Sequence, residues 1–599
     1  MNSPRKALTA VLGALLALLV ILIACFLWVN LRSGEDPDES YADLPTRISS
    51  KYDLDSAWWK YTSVYQIYPR SFKDSDGDGI GDIAGVISRL DYIKSLGFET
   101  IWLSPFFKSP QQDHGYDVSD YLDVAEEYGS LASVDSLIDE VHDRGMRIVF
   151  DLVMNHTSIR HPWFEESRSS RDNPKADWYV WRDDKNGDPP NNWQNIPGQG
   201  SGWNYVAERD QWYYAAFLPF QPDLNMNNPA VRDTMFATVR SWLDKGVDGF
   251  RLDIFNFIFE DTSFANNPRT LRLLPDMVGQ KWLFEERKYN MNRPESFAFA
   301  KELRAVLEEY DDPQRFLVGE VFGSHRVLRK LLGEEQYDGL NLVFLFDFLD
   351  HFDFSAQYFR RKLKTYERLY PEPYVPVYVF SNHDQIRSIT RLNDDPEKAK
   401  LLALFQLTVR GATFTFQGEE IGMTTGNIPV EDGQDPLSAG WLRFPKWLRA
   451  LVPVLMNRDN CRTPMQWSAA DNAGFSDPGV RTWLPVQANY PDINVESAER
   501  NPRSLLHVYR QLLGIKRENA AVRHGSLTIV EEDVPRDVLA YVRRSGEQRV
   551  LVLLNFSDER QSVVIDQGEF GNKLFSIGPE DDFRDGEARL GPFGGLVIR

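Results

Sequence analysis

From Tyr61 to about Met423, short apolar runs rich in β-branched and aromatic residues alternate with longer stretches of helical character. The runs are Ser63–Tyr68, Glu99–Leu103, Arg147–Val153, Gly249–Ile254, Arg315–Val321, Asn341–Phe346, Val375–Phe380 and Ala412–Phe416. Eight such strands with helices between them predict an α/β chain folded as a (β/α)8, TIM-type barrel. After the third run, residues 161–228 are rich in Trp, Asn, Pro and Gly. A structureless connection of that length is improbable in a compact domain, so a small inserted domain over the barrel mouth is expected. Residues 424–500 form a second irregular insertion. A helix is predicted at Ser504–Glu518, and the strand-like runs Ser526–Val530, Leu539–Arg543, Val550–Asn555 and Ser562–Asp566 predict a C-terminal β-sandwich.

At the other end, the 25 residues Ala7–Leu31 carry no charge. As a helix they would extend about 37 Å, enough for a transmembrane span and long for a cleaved signal peptide. Arg5 and Lys6 before the run set the N-terminus in the cytoplasm and the bulk outside, a single-pass signal anchor. Leu22-Ile23-Ala24-Cys25 also resembles a lipoprotein processing box, with Cys25 lipid-modified as the alternative. The expected organisation is 1–6 cytoplasmic, 7–31 transmembrane, 32–57 an acidic tether, 58–156 with 229–520 the barrel, 157–228 the inserted domain and 521–599 the sandwich.

Composition changes this picture in two places. The formal charge of −21 offers no basic footprint for a phosphate backbone, so nucleic acid is a poor partner. Two cysteines, Cys25 and Cys461, exclude a disulfide framework.

The chemistry lies at the ends of the apolar runs: Asp151 to His156 on the third, Arg251 and Asp253 on the fourth, Glu320 on the fifth, and His383-Asp384 on the seventh. Side chains at the C-terminal ends of barrel strands enter the active-site mouth. The period of two puts Arg251 and Asp253 on one face. Three carboxylates, an arginine and two histidines then converge on one pocket. Glycoside cleavage needs one carboxylate nucleophile and one protonated carboxyl, held apart in acidity by their surroundings. Arg251 is expected to favour the ionised form of Asp253, and Glu320, closing an apolar strand, is the expected acid.

These residues sit in the motifs VYQIYPRSFKDSDGDGIGD, DHGYDVSDY, DLVMNHTS, SRSSRDNPKADWYVWRD, PPNNW, QPDLN, GFRLD, GEVFG, NHD and CRTPMQW. From about Trp58 to the C-terminus the chain resembles the α-amylase superfamily, glycoside hydrolase family thirteen, and within it an α-glucosidase or oligo-1,6-glucosidase. The resemblance implies a retaining mechanism. Asp253 would be the nucleophile, Glu320 the acid and then base, and Asp384 the stabiliser of the transition state. His156 and His383 would bind glucose hydroxyls, Arg251 would stand beside the nucleophile and Tyr116 would stack under the ring. Asp113 and Arg458 would pair at the pocket floor and grip the non-reducing end, which gives exo-action. The residue after the nucleophile, here Ile254, is associated in the family with linkage choice.

Asp74, Asp76, Asp78 and Asp82 place oxygen donors on alternate residues of a Gly-rich loop, a set that suits Ca²⁺. The resemblance implies a structural Ca²⁺ there, with Ile80 adding its carbonyl; catalysis itself needs no cofactor. The implied partner is a small oligosaccharide such as a maltose- or isomaltose-type substrate or sucrose, and no protein partner is required. Two alternatives stand beside this reading. One is a transglucosylase of the same family. The other is the heavy-chain ancillary subunit of an amino-acid transporter, which shares the anchored topology. Those chains use a cysteine just outside the membrane, and residues 32–60 contain none.

Overall fold

The computed structural model describes residues 41–599 apart from 42, 55, 197–199, 274, 277, 311, 351–352, 444–456 and 566–569. All eight expected barrel strands are present: β1 Ser63–Ile67, β2 Thr100–Leu103, β3 Arg147–Leu152, β4 Gly249–Leu252, β5 Phe316–Gly319, β6 Leu342–Val343, β7 Val377–Val379 and β8 Ala412–Phe416. They form one parallel sheet in the order β6-β5-β4-β3-β2-β1-β8-β7. Almost every strand residue is buried, because helices cover the outer face and side chains fill the inner one. Inside, Trp102 of β2, Phe344 just past β6 and Phe414 of β8 pack as one layer, with ring centroids 4.9–6.2 Å apart. Arg251 of β4 lies over Trp102 at 5.2 Å and completes a set drawn from alternate strands.

The helices around the sheet start where the sequence supplies caps. Asn228 and Asp395 accept backbone N–H bonds at the starts of Pro229–Asp244 and Pro396–Thr408, each with Pro in the first turn. Ser504 does the same for Leu505–Glu518, the helix predicted at that place.

Residues 157–228 carry the antiparallel strands Trp181–Arg182, Gln211–Tyr214 and Trp203–Val206. Trp193, Trp203 and Tyr214 share an apolar cluster with Ile254, Phe257 and Trp282, so this segment packs on the loop that follows β4.

The C-terminal region has a five-stranded antiparallel sheet and a three-stranded one. Val538, Ala540, Leu551 and Leu553 face Val563, Ala588 and Leu590 of the smaller sheet. The alternating residues Leu539, Tyr541, Val550 and Val552 join the main core instead. The strands Val538–Ser545 and Gln548–Asn555 of the larger sheet are therefore buried on both faces over most of their length, which is why they read as continuous apolar runs. Four short strands, Lys573–Ser576, Asp582–Arg584, Glu587–Leu590 and Gly595–Ile598, were not legible in the sequence.

The span expected at 7–31, the cytoplasmic residues before it and Cys25 lie outside the described residues. Among the described residues no helix is long and apolar enough to cross a membrane. The described part of the expected tether is seated on the barrel rather than free. Tyr41 and Leu44 are buried, Asp43 pairs with Arg326 at 2.6 Å, and Arg329 donates to the Pro45 carbonyl at 2.8 Å.

Candidate active site

Strand β3 pairs with β4 so that Asp151 stands opposite Arg251. Both side chains point inward, and the Arg251 guanidinium becomes the hub of the site. Its Nη1 donates to Asp151 Oδ1 at 2.8 Å and Oδ2 at 2.9 Å, and to Asp253 Oδ1 at 2.8 Å. Its Nη2 donates to Glu320 Oε2. Backbone bonds prolong the ladder beyond the strands and fix both acids: Asp253 N to Leu152 O at 3.1 Å and Glu320 N to Leu252 O at 2.9 Å. Arg251 is 1% exposed, yet Asp253 and Glu320 keep a small exposed fraction, 6% and 7%. Ile254, directly after Asp253, adopts φ 37°, ψ 42°. A β-branched residue in that region is strained, and such strain persists where the surroundings fix a functional geometry.

A second half of the site comes from the excursions after β2, β3, β7 and β8. Arg458 donates to Asp435 at 2.8 Å, to Asp113 Oδ1 at 2.7 Å and to Asp384 Oδ1 at 3.2 Å. Arg462 donates to the same Asp384 oxygen at 2.6 Å. Gln221 donates to Asp113 Oδ2 at 3.0 Å. The expected Asp113–Arg458 pair therefore exists, and it is tied to Asp384.

His383 joins the halves. Gln66 Nε2 donates to its Nδ1 at 2.8 Å, which assigns the ring proton to Nε2. Nε2 meets the Tyr116 hydroxyl at 2.5 Å and Asp384 Oδ2 at 3.2 Å. The ring lies flat between Tyr116, at 5.5 Å and 4°, and Tyr68, at 5.6 Å and 17°. The Tyr116 hydroxyl also contacts Asp151 Oδ2 at 3.3 Å. His156 lies on the side of the inserted domain, with the Tyr116 backbone beside it and its ring 5.8 Å from Phe217.

The electrostatics correct one expectation. Arg251 does not win at Asp253. Burial raises its carboxyl well above the ordinary range, and Glu320, Asp151 and Asp384 add to this against the pull of Arg251. Asp151 is likewise pushed up to about 6, by burial ahead of the opposing arginine. Asp253 and Asp151 are therefore both avid for a proton. Asp384 behaves oppositely. Burial disfavours its charge, but His383, Arg458 and Arg462 hold it well below the usual carboxylate range. Burial pushes the His383 imidazolium down to about 3, so that ring is neutral and the two arginines carry the effect. His156 is neutral for the same reason, pushed down to about 3.

Sequence reasoning placed Asp151 at the end of the third run without giving it a role, and missed Asp435, Arg462, Gln66 and Gln221. Asp151 had a signal: a charge inside an otherwise apolar strand, opposite another charge on its neighbour.

In the loop after β1, carboxylate oxygens of Asp74, Asp76 and Asp78 lie within 4.8 Å of one another. Asp74 accepts backbone N–H bonds from Gly77 at 2.7 Å and Gly79 at 2.9 Å. Gly79 has φ 91°, and a Cβ there would lie 2.2 Å from the Arg481 carbonyl oxygen, so only glycine fits. Asp82 is turned to Ser75 and to Gly85 N, capping the helix Ile83–Ile87. The loop is stitched to the second insertion through Asp74 N to Phe475 O and Trp483 N to Gly79 O, both 3.0 Å.

Residues 66–525 match the family described as the α-amylase catalytic domain, and residues 538–597 match the C-terminal domain of the α-amylase SusG. A probable α-glucosidase of Rhizobium meliloti is 40% identical over 565 residues, 92% of this chain and 98% of the relative. An oligo-1,6-glucosidase of Parageobacillus thermoglucosidasius is 40% identical, covering 84% of this chain and 92% of the relative. Among solved structures, the α-glucosyl transfer enzyme XgtA superposes with a TM-score of 0.80 at 36% identity, covering 90% of this chain and 99% of that one.

Proposed function

The chain belongs to the α-amylase family, a glycoside hydrolase family, and from its site we propose an exo-acting, retaining α-glucosidase that releases glucose from the non-reducing end of short α-glucosides. The observation that carries the reading is the shared guanidinium: Asp253 and Glu320 are each one hydrogen bond from Arg251. Retaining enzymes hold their two carboxyls about 5–5.5 Å apart, against about 6.5–9.5 Å for inverting ones, and a common hub favours the closer spacing. Asp253 attacks the anomeric carbon as Glu320 gives its proton to the departing oxygen. Glu320, now anionic, takes a proton from water, which attacks the same carbon and frees Asp253. Asp384, kept ionised, stabilises the positive charge that develops on the ring. Asp113 and Arg458 close the floor, which supports cleavage one glucose at a time.

The intermediate can pass glucose to a sugar instead of water, and the similarity to an α-glucosyl transfer enzyme makes the acceptor worth measuring. The ancillary-subunit reading gains nothing from a site with all three acids assembled. The loop after β1 fits Ca²⁺ through Asp74, Asp76 and Asp78, with the Ile80 carbonyl as a further donor, in a stabilising role. Asp82 would reach the ion only by leaving its capping bonds. Placement outside the cytoplasm, held by Ala7–Leu31, rests on the sequence alone.

The test is the purified protein with maltose, isomaltose and sucrose, following the anomer of released glucose by NMR. α-Glucose appearing first supports the proposal; β-glucose first, or no glucose from any α-glucoside, rejects it.

A further inference from the structure

A second pair of buried acids lies outside the Arg251 network. Asp223, at the end of the inserted segment, is 0% exposed, and Glu260, on the excursion after β4, is 3% exposed. Their carboxyls face each other within hydrogen-bonding reach. Asp223 Oδ1 accepts from Ala216 N at 3.1 Å. Asp223 Oδ2 and Glu260 Oε1 have no donor among the described residues. The groups that face the pair are Asn155 from the turn after β3, Tyr214 from the inserted sheet, and Arg182. Arg182 does not pair with either acid. Its Nη1 donates to the Trp181 carbonyl at 2.8 Å and its guanidinium lies 3.5 Å over the Phe264 ring.

Two dry carboxylates with no cation in contact do not both ionise; one proton is retained between them. Burial accordingly pushes Asp223 up to about 8 and Glu260 well above its ordinary range. The pair also has a defined mechanical position. Asp223 forms an antiparallel bridge with His156, fixed by Leu224 N to Asn155 O at 2.9 Å and Thr157 N to Pro222 O at 3.2 Å. Phe257, three residues before Glu260, packs on Phe217 at 5.3 Å, and Phe217 packs on His156.

We propose that Asp223 and Glu260 share one proton and act as positioning residues, fastening the inserted segment to the loop behind Asp253 and so holding His156 at the pocket. The effect on turnover rests on the glucosidase reading; the lock itself does not.

In the folded state both carboxyls hold a proton to higher pH than they would in the unfolded chain. The pair's contribution to stability is fully present below the ordinary carboxylate range and is lost as pH rises toward about 8 and beyond. In Glu260→Gln a carboxamide donates to Asp223 and no shared proton is needed. The Tm of this variant is expected to exceed that of wild type at pH 8, with the gap closing toward pH 5. Wild-type KM is expected to climb above about pH 8, by up to roughly tenfold per pH unit, and not to climb in the variant. Asp223→Asn, the mirrored exchange, is expected to behave likewise. A Tm deficit equal at every pH in both variants overturns the proposal. So does a divalent ion bound by wild type and missing from Glu260→Gln, because a cation would then hold the pair. If wild type turns over no α-glucoside, the glucosidase reading fails while the Tm comparison still decides the lock.

Discussion

The barrel mouth and the loop after β1 each gather three carboxylates, and they relieve the crowding in different ways. At the mouth, Asp151, Asp253 and Glu320 surround one buried guanidinium, in a space that excludes most water. In the loop, Asp76 and Asp78 stay exposed, and backbone N–H groups at glycine-rich turns receive Asp74. The first arrangement perturbs acidity strongly and is suited to moving a proton. The second lowers Asp74, with burial overcome by Ser476 and the N–H groups of Gly77, Gly79 and Asp76, and is suited to holding a hard cation. Crowded acids alone therefore do not identify a catalytic centre; the identity of the compensating group does.

The most severe break in this contrast is Asp253→Asn. Turnover is expected to fall by at least about 10³-fold with little change in Tm, measured by initial rates and calorimetry. Loss of stability matching the loss of rate would instead make Asp253 structural. Arg251→Met comes next, since it leaves three buried carboxylates without their cation. Urea unfolding at neutral pH should register a loss of about 3–5 kcal/mol, whereas an unchanged midpoint would deny the hub its role. Arg458→Lys keeps the charge and loses the fork that spans Asp435, Asp113 and Asp384. A KM increase of about tenfold with kcat largely kept is the expected split. Titration supplies a gentler probe. In the proposed mechanism Asp253 attacks as the ion, and its carboxyl is raised, so kcat/KM should decline on acidification at a pH above the ordinary aspartate range. A limb near pH 4 would show that Arg251 governs Asp253 after all. The smallest effect belongs to the loop. Chelator should lower Tm by a few degrees and leave the rate at 25 °C unchanged, and an identical Tm with no ion found by metal analysis would remove Ca²⁺ from the account.

Much of this was readable in the chain. All eight barrel strands follow from apolar runs, and Asp253, Glu320 and Asp384 follow from their places at or just past the ends of such runs. Other features depend on partners far away in sequence. Asp151 matters because the β3–β4 register sets it against Arg251. Asp435 and Gln221 matter because separate excursions meet at Asp113 and Arg458. The acidity of Asp253 was misjudged because the neighbour, Arg251, was visible and the depth of burial was not. Residues 41–57 looked like a tether because their acidic, polar composition gives no hint that Tyr41 finds His325, 5.6 Å away.

Sequence by itself determined the barrel, the candidate acids at its strand ends and the oxygen-rich loop, because alternation and strand ends are local properties of a chain. Only the tertiary structure decided which acids share a cation, which share a proton and which face backbone N–H groups. Those outcomes depend on dehydration and on contacts between segments hundreds of residues apart, and no stretch of sequence carries either quantity.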